Sequence, residues 1–265
     1  MSTVAGAPPR RELAPILPML FAQVWSVLLF YIRIPYFTIF SVGLPIMFFA
    51  FFGLPNLHQK MGANVSVGAY ILASMAAYSM SNVLVYNIGI GQANQRARKL
   101  DLLQRATPLP GWIALASNMV GGISVALLGL IGLLVVGAVA GVSLPLDHWP
   151  LLTGAVIFGS LPMLGLGLLL GYGSGPNLAP ALASLIYLPM AFASGLFIPL
   201  QQMPGVVQQI GPYLPLYHLG QLAWSVVGGA NEPAWHAVAW IVGWGAVLLF
   251  AASRAFRVDQ MRKFA

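Results

Sequence analysis

Apolar residues run along this chain in blocks of about twenty, and polar positions are confined to the gaps between them. Six such runs fall at approximately 36–54, 67–90, 112–140, 151–172, 178–198 and 235–253. Each is long enough for the roughly 20 residues that an α-helix needs to cross a hydrocarbon core. Ahead of them Leu13, Ile16, Leu17, Leu20, Phe21, Val24, Trp25, Leu28 and Leu29 recur at helical spacing, with Gln23 and Ser26 opposite and Arg33 at the end. This pattern predicts an interfacial helix over 12–33 with Trp25 at headgroup depth; a short tilted span is the alternative. Arg10 and Arg11 mimic the start of a signal peptide, but no small-residue cleavage site follows. Residues 1–9 are small and proline-rich and read as a disordered tail. Residues 10–265 read as one transmembrane domain.

Two regions fit neither a simple span nor a simple loop. Gln92 to Arg105 mixes polar and apolar positions in a helical manner, with Leu100 and Leu103 on one side. Thr107-Pro108-Leu109-Pro110 then stops the helix before Trp112 opens the third run. The reading is a basic helix over 92–108; the plainer one is an ordinary charged loop. The segment 199–233 is cut by Pro199, Pro204, Pro212 and Pro215, too broken to span and too apolar for an open loop. Non-helical backbone at membrane depth must be buried against protein or line a wet cavity. A re-entrant pair of short helices before the last span is the expected solution. The fold class is thus an all-α membrane protein with six transmembrane helices.

Composition strengthens this. Of 265 residues 59% are hydrophobic and 6% charged, against roughly 25% charged in a soluble domain. There is too little polar material to cover a water-facing surface, so the outside faces lipid. The net charge of +7 does not indicate nucleic acid, because the basic residues are few and lie between apolar runs. With six spans, Arg10, Arg11, Arg33, the 91–111 segment and the tail from Arg254 fall on one side. That puts 11 of the 12 basic residues in the cytoplasm, with Lys60 outside. The expected location is a bacterial cytoplasmic membrane with both termini inside.

Several chemistries are disfavoured. Cysteine is absent, so there is no disulfide, thiolate metal site or cysteine nucleophile. The six runs contain no Asp, Glu, Lys or Arg, and their one histidine, His236, sits at the outer end of the last. An ion-coupled carrier would place such a group within a span. Asp147, His148 and Glu232 fall in or near outer loops, where solvated groups are the expectation. No pair of histidines or carboxylates has metal-ligand spacing within a span, so no metal site is expected. Ser174, in Gly-Tyr-Gly-Ser-Gly-Pro, has Tyr172 where a nucleophile turn needs glycine, and reads as a flexible turn. A phosphate-cradling loop needs Gly-Lys followed by Ser or Thr, but Lys60, Lys99 and Lys263 precede Met, Leu and Phe. The chain is not expected to be an enzyme or to hold a cofactor.

What remains is uncharged. On the second run Tyr70, Ser74, Tyr78, Asn82 and Tyr86 recur every fourth residue, with Asn87 beside the inner end. An asparagine facing lipid would be costly, so the stripe should face protein or a cavity. Interhelical hydrogen bonding and a polar path are both open. Gly137-xxx-Gly141 and Gly167-xxx-Gly171 suggest close helix packing.

Certain motifs resemble the permease subunits of type-2 ABC exporters, including drug-resistance and lipid exporters. They are Arg33-Ile34-Pro35 with Pro45 and Phe52-Gly53, Thr107-Pro108 after a basic helix, Ser194-Gly195-Leu196-Phe197-Ile198-Pro199, Met203-Pro204-Gly205 and Pro212-Tyr213-Leu214-Pro215-Leu216-Tyr217. Their order and spacing match over nearly the whole chain. The basic helix departs from the pattern, with Gln95, Ala97 and Lys99 where an acid and a glycine are often found. The resemblance implies two six-span subunits, a second copy or a paralogue, and a separate nucleotide-binding protein that holds ATP and Mg²⁺. It implies that Arg96, Arg98, Lys99, Asp101, Leu103, Arg105, Thr107 and Pro108 couple to that partner. It implies a substrate path between the second and fifth spans, with Tyr78, Asn82 and Tyr86 facing Ser184, Tyr187 and Phe192, and Pro180 and Pro189 permitting bends. The expected cargo is a drug, lipid or glycolipid moving outward. An ATP-independent protein, such as an assembly factor or uniporter, is the alternative from another class.

Overall fold

The computed structural model describes residues 16–33, 35–61, 65–97 and 111–262. Helix α1 (Ile16–Arg33) is followed by α2 (Pro35–Phe48), which runs into a π-turn at Phe49–Gly53 and a 3₁₀ turn at Leu54–Asn56. A two-residue hairpin, β1 (Lys60–Met61) with β2 (Val65–Ser66), leads into α3 (Val67–Val83), a π-turn (Leu84–Ile88) and α4 (Gly89–Ala97). Then come α5 (Gly111–Val139), α6 (His148–Gly159), α7 (Leu161–Gly173) and α8 (Ala179–Ala193). A 3₁₀ turn, the short α9 (Gly205–Ile210), a second 3₁₀ turn and α10 (Pro215–Val227) precede the long α11 (Ala234–Arg262).

Among the described residues four helical stretches are long and apolar enough to cross a membrane: Val67–Ala97, Ala116–Val139, His148–Gly173 and Ala234–Asp259. Val42–Asn56 and Ala179–Ala193 are apolar but shorter. The expected fifth run, 178–198, is helical only to Ala193, because Gly195 takes a left-handed φ of +80° and turns the chain. Gly141 and Gly228 end α5 and α10 in the same way, at φ +82° and +81°. Gly141 therefore serves a turn: a Cβ added there would meet nothing within 4 Å, whereas Gly137 packs on Leu72. The helix-packing role anticipated for Gly141 is replaced by a helix stop.

Burial sorts the helices. In α3 every residue but Val67 and Ile71 is buried, and in α10 every residue but Ser225 and Val226. Helix α7 packs against α11, α4 and the second π-turn, while α10 packs against α6, α11 and α3. The exposed surface is apolar: Leu128, Ile131, Val135 and Val139 form a stripe along α5, and Leu185, Leu188 and Phe192 lie along the outside of α8. A soluble protein would not leave such stripes uncovered. The proline-cut segment 199–233 begins its helices at Pro204 and Pro215, where the missing N–H has no intrahelical partner to lose.

Glycines set the closest approach. A Cβ on Gly167 would lie 2.7 Å from the Leu84 carbonyl oxygen, and one on Gly171 would lie 2.9 Å from that of Gly89. Across the same seam, a Cβ on Gly89 would meet the Gly167 carbonyl at 3.0 Å. The backbones of α7 and the π-turn with α4 touch only because these side chains are absent.

Candidate functional site

The row Tyr70, Ser74, Tyr78, Asn82 and Tyr86 is turned inward. Its first two members meet α10: the Trp224 indole N–H donates to Ser74 Oγ at 2.8 Å, and the Tyr70 ring stacks on Trp224 at 4.9 Å. Ser74 in turn donates to the Tyr70 carbonyl, tying the row to its own helix. The last three meet α8, whose Ala179, Ala183, Tyr187 and Ala191 form a buried seam at four-residue spacing.

Tyr187 is the centre of that contact and is fully buried. Its hydroxyl shares a 2.9 Å hydrogen bond with Ser81 Oγ and donates to the Tyr78 carbonyl at 3.1 Å. One turn away Tyr86 Oη donates to Ser184 Oγ at 3.1 Å. The π-turn that carries Tyr86 inserts an extra residue in the helical ladder and so resets the direction of its side chains. Asn82 is buried beside Tyr78. Phe192 reaches the cluster indirectly: it stacks on Phe197 at 4.6 Å, and Phe197 sets its ring against Tyr78 at 4.8 Å. The candidate residues Tyr78, Tyr86, Ser184 and Tyr187 are thus brought together, with Asn82 at their side and Phe192 one ring removed. Ser81, Phe197 and Trp224 are the members that counting by fours passes over. Ser81 was within reach, since i and i+3 share a helix face.

Beside this seam the Asn87 amide is buried, and neither of its side-chain atoms has a hydrogen-bond partner among the described residues. A buried unpaired amide is rare, and it commonly marks bound water or a ligand.

At the adjoining end of the bundle Arg96 gathers three helices. Its guanidinium donates to the carbonyls of Gly171, Tyr172 and Ser174 at 2.8–3.1 Å and forms a close ion pair with Asp259. Those carbonyls lie at the C-terminal end of α7, where a cation is stabilised by the helix dipole. Gln95 and Asn118 exchange a reciprocal pair of amide hydrogen bonds at 3.0 and 2.8 Å. Ser174 is a buried cap that donates to the Leu170 carbonyl. Arg98, Lys99, Asp101, Leu103, Arg105, Thr107 and Pro108 lie outside the described residues.

At the opposite end the structure departs from expectation. Asp147 is open to solvent, with 77% of its side chain exposed, but Glu232 is only 14% exposed. Its carboxylate joins the fully buried His218 of α10 to His236 of α11, at 2.8 and 2.7 Å from the two Nδ1 atoms. A solvated acid was expected here; folding of the proline-cut segment brings His218 against it instead. These three side chains are the metal-capable group among the described residues.

Long apolar helices with charged groups confined to their ends define a multi-pass membrane protein. Residues 55–254 match the model described as ABC-2 family transporter protein, and the chain belongs to that family. It is also 30% identical over 205 residues to a protein of Bacillus subtilis (strain 168) named "Putative transport permease YvfS". That alignment covers 77% of this chain and 83% of the relative. The chain is therefore a transport permease of the ABC type, from a family that works with ABC ATP-binding partners.

Proposed function

We propose that this permease exports a hydrophobic or amphipathic compound, such as a drug, lipid or glycolipid, across the bacterial cytoplasmic membrane. Two copies, or this chain and a paralogue, form the pathway. Each contributes six spans, the two shorter apolar helices α2 and α8 included, and a re-entrant segment at 199–233, with both termini cytoplasmic. A separate nucleotide-binding subunit holds and hydrolyses ATP with Mg²⁺. No nucleic acid is involved.

The observation that carries this reading is the uncharged seam between α3 and α8. Tyrosine hydroxyls, Ser81, Ser184 and Asn82 are concentrated there, between helices that hold no Asp, Glu, Lys, Arg or His across their apolar core. With no such group between these helices to carry a coupling ion, energy is expected to arrive mechanically. The Asn87 amide adds a buried polar group that the described residues leave unused. A seam held by a few hydroxyl bonds can separate at modest cost, since interhelical hydrogen bonds in membranes average about 0.6 kcal/mol. Nucleotide on the partner would bias inward-open against outward-open arrangements of the two subunits. The connector after Arg96, with Arg98, Lys99, Asp101, Leu103, Arg105, Thr107 and Pro108, is the expected docking element. Arg96 itself anchors the start of that connector to α7 and α11, so a displacement of the connector would be passed to both.

The test is reconstitution with a cognate ABC ATP-binding subunit. Asn82→Leu and Tyr86→Phe should preserve complex assembly and basal ATP hydrolysis while changing which compounds of a drug and lipid panel stimulate it. Unchanged ligand profiles, together with lowered melting temperatures in both variants, would make the seam a packing element and overturn the path.

A further inference from the structure

We propose that His218, Glu232 and His236 form a binding site for a divalent transition-metal ion, with Zn²⁺ the best-matched ion. The three side chains come from different places: the first turn of α10, the connector before α11, and the first turn of α11. Their donor atoms all lie within 4.8 Å of one another. Two imidazoles and a carboxylate are borderline nitrogen and oxygen donors, the set that zinc takes when three protein ligands leave a fourth position open.

The site is preorganised. The His218 ring stacks flat on Trp240 at 5.0 Å and 7°, and Tyr217 meets it edge-on. His218 is fully buried, and among the described residues Glu232 is the hydrogen-bond partner of its ring, through Nδ1. Glu232 is largely buried, and its ion-pair partners among the described residues are these two imidazoles, with neither Lys nor Arg. A carboxylate held mostly out of water beside two imidazoles is an arrangement that a dication would relieve.

Binding asks for movement at each ligand. Around a tetrahedral ion with bonds near 2.0–2.2 Å the donor atoms stand roughly 3.3 Å apart. The present nitrogen–oxygen separations are 2.8 and 2.7 Å, to different oxygens of the carboxylate, within a donor set that spans 4.8 Å. The carboxylate must therefore withdraw by about half an ångström while the widest donor pair closes by about 1.5 Å. Glu232 sits in a non-helical connector that can supply that movement. Each ring must present its Nδ1 lone pair, so its proton moves to Nε2 and the Glu232 bonds are exchanged for metal bonds. The 3.2 Å bond from the Trp240 indole to His236 Nε2 is lost in that exchange. His236 keeps 42% of its side chain exposed in the first turn of α11, which gives an ion a way in. Once bound, the ion would fasten the buried α10 to the last helix. The assignment does not depend on the export reading.

The chain has four histidines, which makes the experiment complete. Full-length protein carrying a tag without histidine is stripped with chelator and titrated with Co²⁺ by visible absorption, then with Zn²⁺ in competition. Melting temperature is followed in parallel. Saturation at one equivalent, displacement of Co²⁺ by Zn²⁺, and a melting rise of roughly 5 °C or more at a hundredfold excess over Kd are expected. His236→Asn and Glu232→Gln should each weaken binding at least about tenfold. The double variant His58→Asn/His148→Asn should bind as the parent does. His236 is half-exposed, so its variant keeps the fold even where His218→Asn does not. Absence of saturable binding in the parent, parent-like binding in His236→Asn and Glu232→Gln, or loss of binding in the His58/His148 variant would overturn the site.

Discussion

Two glycine-to-alanine substitutions should have opposite signs, and the sign follows from what a new Cβ would touch. At Gly167 it would lie 2.7 Å from the Leu84 carbonyl oxygen and 3.3 Å from the Val85 Cα. Both are backbone atoms of the facing helix, so no side chain can rotate away. The helices must separate by about 0.7 Å to restore an ordinary 3.4 Å contact. At Gly132, in the middle of α5, nothing lies within 4 Å of the added atom. Alanine is the better helix former at both positions by about 1 kcal/mol, so that gain cancels in the comparison. What remains is the overpacking cost at Gly167, about 1–3 kcal/mol. Gly132→Ala should therefore be slightly more stable than the parent, and Gly167→Ala less stable than Gly132→Ala by that amount. For a chain of this size the gap corresponds to roughly 3–10 °C in melting temperature, read by intrinsic fluorescence in detergent. Equal stability of the two variants would refute the claim that the α7 contact is backbone-limited.

Arg96→Gln leaves a carboxylate that is only 7% exposed without this cation and removes the donor from three carbonyls. A broken buried pair costs about 3–5 kcal/mol, and the partial exposure of Arg96 reduces this to about 2–3 kcal/mol. Asp259→Asn, which keeps an acceptor for Arg96, should cost less in the same denaturation assay; an equal or larger loss would contradict the geometry. For topology, a cysteine at Asp147 should react with an impermeant thiol reagent on intact cells, and one at Gly175 should not. Labelling of Gly175 from outside would overturn the six-span arrangement.

Much of the fold was legible because a membrane leaves few options for a polar backbone. Apolar runs 67–90 and 151–172 reappear within Val67–Ala97 and His148–Gly173, and 112–140 matches Gly111–Val139 to within one residue at each end. Where the reading drifted, one residue's backbone made the difference. A hydropathy window cannot see that Gly195 will turn left-handed, so the run 178–198 looked like continuous helix and ends at Ala193. Nor does it see that Gly141 stops α5 while Gly137, four residues earlier, packs on Leu72.

The candidate site divides along the same line. Periodicity within one helix is local information, and it put Tyr78, Asn82 and Tyr86 on one face; the bonds to Ser184 and Tyr187 bridge about a hundred residues and appear only on folding. Charge misleads for a related reason. Arg96 sits in a basic stretch and reads as one of the residues that couple to the partner; folding also sets it against three carbonyls at the end of α7 and the carboxylate of Asp259, 163 residues away. Glu232 reads as a solvated loop acid for want of a visible partner, since His218 lies across two turns of a helix and a glycine stop. Both groups are in fact partnered for one physical reason. In a chain with 6% charged residues, a charge that folding carries away from water has few ways to be compensated, and so each is met by a group placed for it. Polar residues in such a chain are therefore better read as halves of pairs whose other half is still to be found than as exposed remainders.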